Sequence, residues 1–100
     1  MADAFIRNRI RDDGVTLFVK TGCSYSRNAL ELLKGFSFVP GALQVVDITV
    51  REDVQNYLRQ KTGQTNTPHI FFGKHCIGGF SDLQTLACDL PRMLEQIGAL

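Results

Sequence analysis

The sequence has little net charge, few cysteines and no long apolar segment, and each shortage excludes a class of protein. Its 11 Lys and Arg residues nearly balance its 10 Asp and Glu residues, which gives a formal net charge of +1. Such a charge offers no electrostatic basis for binding nucleic acid or an anionic membrane surface. No apolar run reaches the length of a transmembrane helix. We therefore expect no nucleic-acid partner and no membrane partner.

The three cysteines, Cys23, Cys76 and Cys88, contain no C-x-x-C pair. A small, odd number of cysteines does not make the disulfide framework of a small secreted domain, and the two histidines do not form a zinc spacing with them. The charged segment 1–11 also lacks the apolar core of a signal peptide. These features predict a reduced chain in the cytoplasm and no metal site.

One hundred residues suffice for one domain, 1–100, with a real hydrophobic core. Apolar periodicity and turn residues predict alternating helices and strands. The predicted elements are a helix over 2–11, a strand over 15–19, a helix to about 34, a strand over 43–48, a helix over about 51–61, a hairpin of 69–72 with 75–77, a helix capped by Ser81 or Asp82, and a helix over about 90–97. This order predicts an α/β fold with a mixed sheet and helices on both faces.

Cys23 stands where a buried strand ends and a helix begins. The free N–H groups and partial positive charge of a helix N-terminus favour a thiolate over a thiol. Lys20 and Arg27 add positive charge nearby. The alternative is an inert buried cysteine, as free cysteines often are. Gly22 and Ser24 on either side favour an exposed turn, so Cys23 is the candidate nucleophile.

Three separated motifs resemble the glutaredoxin family. Cys23-Ser24-Tyr25-Ser26 resembles the active-site loop, usually Cys-Pro-Tyr-Cys, and Asn66-Thr67-Pro68 lies where glutaredoxins carry Thr-Val-Pro with a cis proline. Segment 76–83, Cys-Ile-Gly-Gly-Phe-Ser-Asp-Leu, resembles the glutathione-binding end of that fold, and segments 46–49 and 96–100 are similar to vertebrate cytosolic glutaredoxins. The resemblance covers essentially the whole chain. It implies a thioredoxin-like fold with a four-stranded mixed sheet, and a glutathione-dependent thiol–disulfide oxidoreductase.

The resemblance also implies a role for individual residues. Cys23 would be the nucleophile, and Ser26 could donate a hydrogen bond that keeps it ionised. The implied glutathione-binding residues are Lys20 and Gln55 at the glycine carboxylate, Thr67 and Pro68 along the cysteinyl part, Gly79, Ser81 and Asp82 at the γ-glutamyl end, and Tyr25 beside the groove. Glutathione would be the co-substrate and glutathionylated proteins the partners of a monomeric enzyme.

The sequence departs from the family pattern where Asn66 and Thr67 replace Thr-Val, and at three further positions. Ser26 stands where dithiol glutaredoxins have a resolving cysteine, so we expect the one-cysteine reduction of protein–glutathione mixed disulfides. Ser24 replaces the usual proline, a loss associated within the family with a [2Fe–2S] cluster bridging two protomers through Cys23 and two glutathiones. A cluster-binding dimer is therefore the alternative function. Thr65 stands where many relatives carry a cation, which implies weaker glutathione binding.

Two further residues have alternative interpretations. His69 follows Pro68 and either edges the groove or lies on the surface of a strand. Cys76 precedes the Gly-Gly turn, and we interpret it as a packed thiol rather than as a disulfide partner of Cys23.

Overall fold

The sheet has four strands, formed by the segments whose β-branched and aromatic residues predict strands. The computed structural model describes all 100 residues and contains β1 (Val15–Val19), β2 (Leu43–Asp47), β3 (His69–Phe72) and β4 (His75–Gly78). The strand order is β2-β1-β3-β4. Strand β1 is parallel to β2 and antiparallel to β3, and β3 is antiparallel to β4. The predicted mixed sheet is confirmed.

Five helices surround this sheet. They are α1 (Ala2–Arg7), α2 (Ser24–Leu33), α3 (Glu52–Thr62), α4 (Phe80–Thr85) and α5 (Leu90–Gln96), with a short 3-10 turn at Ala87–Asp89. None of them is both long enough and apolar enough to cross a lipid bilayer.

The alternation of side chains along β1 divides the core into two layers. Leu17 belongs to a buried cluster that includes Leu33 of α2, together with side chains of α4 and α5. Phe18 points to the opposite face and packs with Val54 of α3 and Ile6 of α1. Helices therefore cover both faces, as predicted, and the thioredoxin-like architecture is confirmed.

Two helix boundaries differ from the prediction. Helix α1 ends at Arg7 rather than at Arg11. The apolar pattern continues because Ile10, outside the helix, still packs on the same cluster. Helix α4 begins at Phe80, with Gly79 rather than Ser81 or Asp82 as its N-cap. Asp82 instead lies in the first turn of α4, where its Oδ2 accepts the N–H of Gly79 at 2.9 Å.

Candidate active site

Cys23 follows the turn of residues 20–22 that leads out of β1, and it is the N-cap residue of α2. Its side chain is partly exposed and forms no disulfide. The backbone N–H groups of the first turn of α2 therefore face the region of its sulfur. The predicted placement of Cys23 between a strand and a helix is confirmed.

Hydrogen-bond donors around Cys23 favour its thiolate. Burial of the sulfur raises the pKa of Cys23, but the side chain of Thr67, the hydroxyl of Ser26 and the backbone N–H groups of Ser26 and Tyr25 together hold that pKa below its ordinary value. As a thiol, Sγ also donates to the carbonyl oxygen of Thr67 at 3.5 Å. That single contact favours the protonated form, and the several donors outweigh it.

Ser26 is 5% exposed, and its Oγ has no hydrogen-bond partner inside the protein. Leaving a buried polar group unpaired costs about 1–3 kcal/mol. The neighbouring Cys23 thiolate is an acceptor that would satisfy this hydroxyl, in agreement with its effect on the pKa of Cys23. The supporting role predicted for Ser26 stays a prediction that this geometry favours.

A groove of about 460 Å³ opens beside Cys23, and we call it the basic lobe because Lys20 and Arg59 line it. A second recess of about 240 Å³, lined by Gln64, Phe80 and Ser81, is called the neutral lobe. Both lobes share three lining residues, Tyr25, Asn66 and Thr67. Together they form an extended site with cations at one end and uncharged polar groups at the other.

The structure brings most of the predicted site residues to these two lobes. Those that line the lobes are Lys20, Cys23, Tyr25, Gln55, Thr67 and Ser81. Tyr25 flanks the site with its ring 6.3 Å from that of Phe80. Pro68 is buried behind the lining, and the Thr67–Pro68 peptide bond is cis, as the resemblance implied.

Two predicted residues, Gly79 and Asp82, lie just outside the lobes. Gly79 is buried, and its N–H is donated to the Asp82 carboxylate. Asp82 lines an adjacent recess with Gln64 and Cys76. Neither residue faces the neutral lobe directly, although both lie at its border at the start of α4.

Gln55 lines the basic lobe, but its side-chain N–H groups point away from it. The side chain is 7% exposed, and its Nε2 donates to the carbonyl oxygens of Ile48 at 2.7 Å and Thr49 at 3.1 Å. Both amide hydrogens are therefore committed to the loop after β2. In this conformation Gln55 holds that loop against α3 and presents no free N–H to a carboxylate.

Arg59 supplies the cation that sequence reasoning missed. It lines the basic lobe one helical turn beyond Gln55 and contacts the side chain of Asn56. The usable signal was the i, i+4 spacing from Gln55, which puts both residues on one face of α3. Thr65 also lines this lobe, so the charge absent at Thr65 is present at Arg59 instead.

His69 is buried rather than exposed on the strand surface. It is 2% exposed, lines the basic lobe and has no partner for its Nδ1. Burial and, secondarily, the charge of Arg59 lower the pKa of His69 to about 4. The imidazole is therefore neutral at physiological pH.

Cys76 is a half-buried free thiol on β4 that packs against the cluster containing Phe71. Burial raises its pKa, so it is a poor nucleophile. The interpretation of Cys76 as a packed thiol agrees with the structure.

Thiol–disulfide exchange needs an accessible cysteine with an acidic thiol, and Cys23 meets both conditions at the edge of an open groove. On this sheet and helix arrangement, the site defines a thiol oxidoreductase of thioredoxin-like fold. Residues 15–77 match the family model for glutaredoxin.

Known proteins similar to this chain point the same way. It is 55% identical over 100 residues to Glutaredoxin-1 of Gallus gallus, which covers 100% of this chain and 99% of the relative. It is 42% identical over 105 residues to Glutaredoxin-1 of Sus scrofa, with coverage of 100% and 99%. The crystal structure of a buckwheat glutaredoxin–glutathione complex matches with a TM-score of 0.87 at 25% identity, covering 100% of this chain and 93% of that one. This chain belongs to the glutaredoxin family, and it is a glutathione-dependent oxidoreductase.

Proposed function

We propose that this enzyme reduces protein–glutathione mixed disulfides by a mechanism that uses Cys23 alone. The observation that carries the proposal is that Cys23 is the one cysteine lining the groove, with a buried serine, Ser26, in the first turn of α2. Cys76 packs on the α1–α3 side of the sheet, and Cys88 is exposed in the 3-10 turn. No second thiol is therefore available to resolve a disulfide at Cys23.

The reaction begins when the Cys23 thiolate attacks the glutathione sulfur of the mixed disulfide. The bond to the protein sulfur breaks, the protein thiolate leaves and takes up a proton, and Cys23 keeps the glutathione. The thiolate of a second glutathione then attacks the sulfur of the bound glutathione. Oxidised glutathione leaves and the Cys23 thiolate is regenerated.

The two lobes suit the two ends of glutathione. Its glycine carboxylate would lie in the basic lobe, where Lys20 and Arg59 supply positive charge. Its γ-glutamyl end would lie in the neutral lobe near Ser81. At the border of that lobe Asp82, whose Oδ2 accepts the Gly79 N–H, would bind the ammonium group through its other oxygen.

The middle of glutathione would lie between the two lobes, beside the residues that line both of them. Its cysteinyl part would follow the backbone of Thr67 ahead of Pro68, which puts the glutathione sulfur beside Cys23. Tyr25 would close one side of the groove. In this arrangement Gln55 supports the site through its bonds to the loop after β2.

The test is mass spectrometry of the protein incubated with oxidised glutathione, together with turnover of a glutathionylated peptide. We expect a single glutathione adduct on Cys23 and turnover that depends on added glutathione. Cys23→Ser should abolish both, and the matched control Cys88→Ser should leave both intact. An adduct confined to Cys76 or Cys88, or full turnover in Cys23→Ser, would contradict the proposal.

A [2Fe–2S] cluster bridging two copies is the second candidate function, and Ser24 in place of a proline is the feature that favours it. No group of three or more His, Cys, Asp or Glu side chains in this chain could hold a metal. As the cysteine that lines the groove, Cys23 would be the protein ligand in each copy, with glutathione completing the set. Anaerobic reconstitution with iron, sulfide and glutathione should then yield a coloured dimer, whereas a colourless monomer would count against it.

The remaining proposals concern the oligomeric state, the cellular location and the partners of the enzyme. We propose a monomer in the cytoplasm, acting on glutathionylated proteins. Three free cysteines and the similarity to vertebrate Glutaredoxin-1 support a reducing location. Sedimentation of the reduced protein and fractionation of expressing cells test these two statements separately.

A further inference from the structure

His69 is a buried imidazole that the proposed reaction leaves unused. Its side chain is 2% exposed, and its Nδ1 has no partner within the protein. Buried polar atoms in folded proteins are almost always hydrogen-bonded. His69 also forms part of the wall of the basic lobe, so its imidazole is within reach of a ligand in that lobe.

The sheet register fixes which part of a ligand His69 would meet. His69 is paired with Phe18 across β1 and β3, so its side chain lies on the face that α3 covers. Arg59 of α3 lines the same lobe and is close enough to affect the imidazole. His69 does not line the neutral lobe. It therefore lies at the end of the site where charge complementarity puts the glycine carboxylate.

The charge state of His69 suits a hydrogen-bonding role. Burial and the positive charge of Arg59 lower its pKa to about 4, so the ring is neutral near pH 7. A neutral imidazole has one donor nitrogen and one acceptor nitrogen. It can thus donate to the glycine carboxylate or accept from the glycyl amide, while Lys20 and Arg59 supply the charge.

We propose that His69 is a specificity-determining residue whose imidazole hydrogen-bonds the glycyl residue of glutathione and so distinguishes glutathione from thiols that lack that residue. The inference rests on the proposed glutathione-dependent reaction. It adds a residue that recognises the glycyl end of the ligand. It predicts that the effect of changing His69 depends on whether the glycyl residue is present.

The kinetic test compares two substrates, one peptide carrying a mixed disulfide either with glutathione or with γ-glutamylcysteine. His69→Phe keeps a ring of similar size in the strand and removes both nitrogens. It should raise KM for the glutathione substrate about tenfold, the effect of losing one hydrogen bond at a charged group. KM for the γ-glutamylcysteine substrate should stay unchanged. His69→Gln, which keeps a donor and an acceptor, should recover part of the loss.

The chain provides its own controls for this experiment. His75 is the other histidine, and it is exposed on β4 outside both lobes. His75→Phe should change neither KM. In the unaltered protein, the imidazole ¹⁵N signals of His69 should shift when Cys23 carries glutathione and stay in place when it carries γ-glutamylcysteine. The signals of His75 should not respond to either adduct, and this measurement does not depend on any variant folding.

The outcomes separate the two proposals. An equal rise of KM for both substrates in His69→Phe, or His69 signals that respond identically to both adducts, would overturn the role at the glycyl end. If KM of His69→Phe is unchanged with both substrates, the proposal that His69 contacts the ligand is wrong. If the unaltered enzyme fails to turn over the glutathione substrate, the proposed reaction itself is wrong, whereas normal turnover without dependence on the glycyl residue contradicts the inference about His69 alone.

Discussion

Replacing Ser26 by alanine removes a hydroxyl that is buried in α2 without a partner and lies beside the sulfur of Cys23. The hydroxyl of Ser26 and the side chain of Thr67 are the two side-chain donors that lower the pKa of Cys23. The backbone N–H groups of Tyr25 and Ser26 remain in the variant. We therefore expect the pKa of Cys23 to rise in Ser26→Ala while the helix contribution is retained.

The magnitude follows from the kind of bond that is lost. A hydrogen bond to an ionised group contributes about 1.5–3 kcal/mol. Ser26 ranks below Thr67 among the donors, so we take the lower end of that range. About 1.4 kcal/mol corresponds to a factor of ten in an ionisation equilibrium. At a pH below the pKa, the ratio of thiolate to thiol at Cys23 should thus fall about tenfold in the variant.

The assay is the rate of alkylation of Cys23 by iodoacetamide as a function of pH. Mass spectrometry of the digested protein separates Cys23 from the other two thiols, Cys76 and Cys88. The matched control is Ser24→Ala, because Ser24 is an exposed serine in the same turn. An unchanged alkylation profile in Ser26→Ala, or an equal displacement in Ser24→Ala, would refute the reasoning.

The pH dependence of folding stability is an independent check on the direction in which Ser26→Ala shifts the pKa of Cys23. The pKa of Cys23 is lower in the folded chain, so its thiolate contributes stability above the unfolded pKa, and that contribution is lost as the pH falls through the folded pKa. At low pH, Ser26→Ala removes only an unpaired buried hydroxyl and should be as stable as the parent or more stable. At high pH it should be less stable. A stability difference independent of pH, measured by urea unfolding, would contradict this account.

Two further predictions concern the groove and the turn before α4. Arg59→Gln should raise KM for a glutathionylated peptide about tenfold. It should also raise the pKa of His69 above about 4, though not to its ordinary value because burial persists, as NMR titration would reveal. Gly78→Ala should lose about 2 kcal/mol in denaturant unfolding, since φ is +112° and the new Cβ would overlap Oδ2 of Asp82. Gly41→Ala, with φ of +81° and open space around it, should lose less; equal losses would exclude the contact with Asp82 as a cause.

The strands could be predicted from sequence because each is a short apolar run between turn residues. Strand β1 has the predicted bounds, Val15–Val19. The ends of two helices could not be predicted from the same pattern. Ile10 continues the apolar period of α1 although the helix has ended, because tertiary packing on α3 needs an apolar side chain there. Gly79 directly follows the last residue of β4, Gly78, and already caps α4, which a pattern of strand breakers does not reveal.

Within the site, the residues next to Cys23 could be predicted because they are adjacent in the chain. Arg59 was missed although its i, i+4 spacing from Gln55 indicated it, and His69 was placed at the groove only as one of two alternatives. The choice between those alternatives depends on the β1–β3 register and on how α3 lies across the sheet. Gln55 was located correctly in the groove, but the direction of its amide depends on two carbonyls, of Ile48 and Thr49, that only the folded loop provides.

The contact between Cys23 and Thr67 joins residues 44 positions apart. Because the side chain of Thr67 is the largest of the effects that lower the pKa of Cys23, that pKa reaches its full depression only when β3 has docked beside β1. In an unfolded chain Cys23, Cys76 and Cys88 are chemically alike, and an electrophile has no reason to prefer one of them. The preference of an electrophile for Cys23 over Cys76 and Cys88 therefore reports when the fold is complete. In a newly made chain Cys23 would stay mainly in the slow-reacting thiol form until the groove beside it has formed.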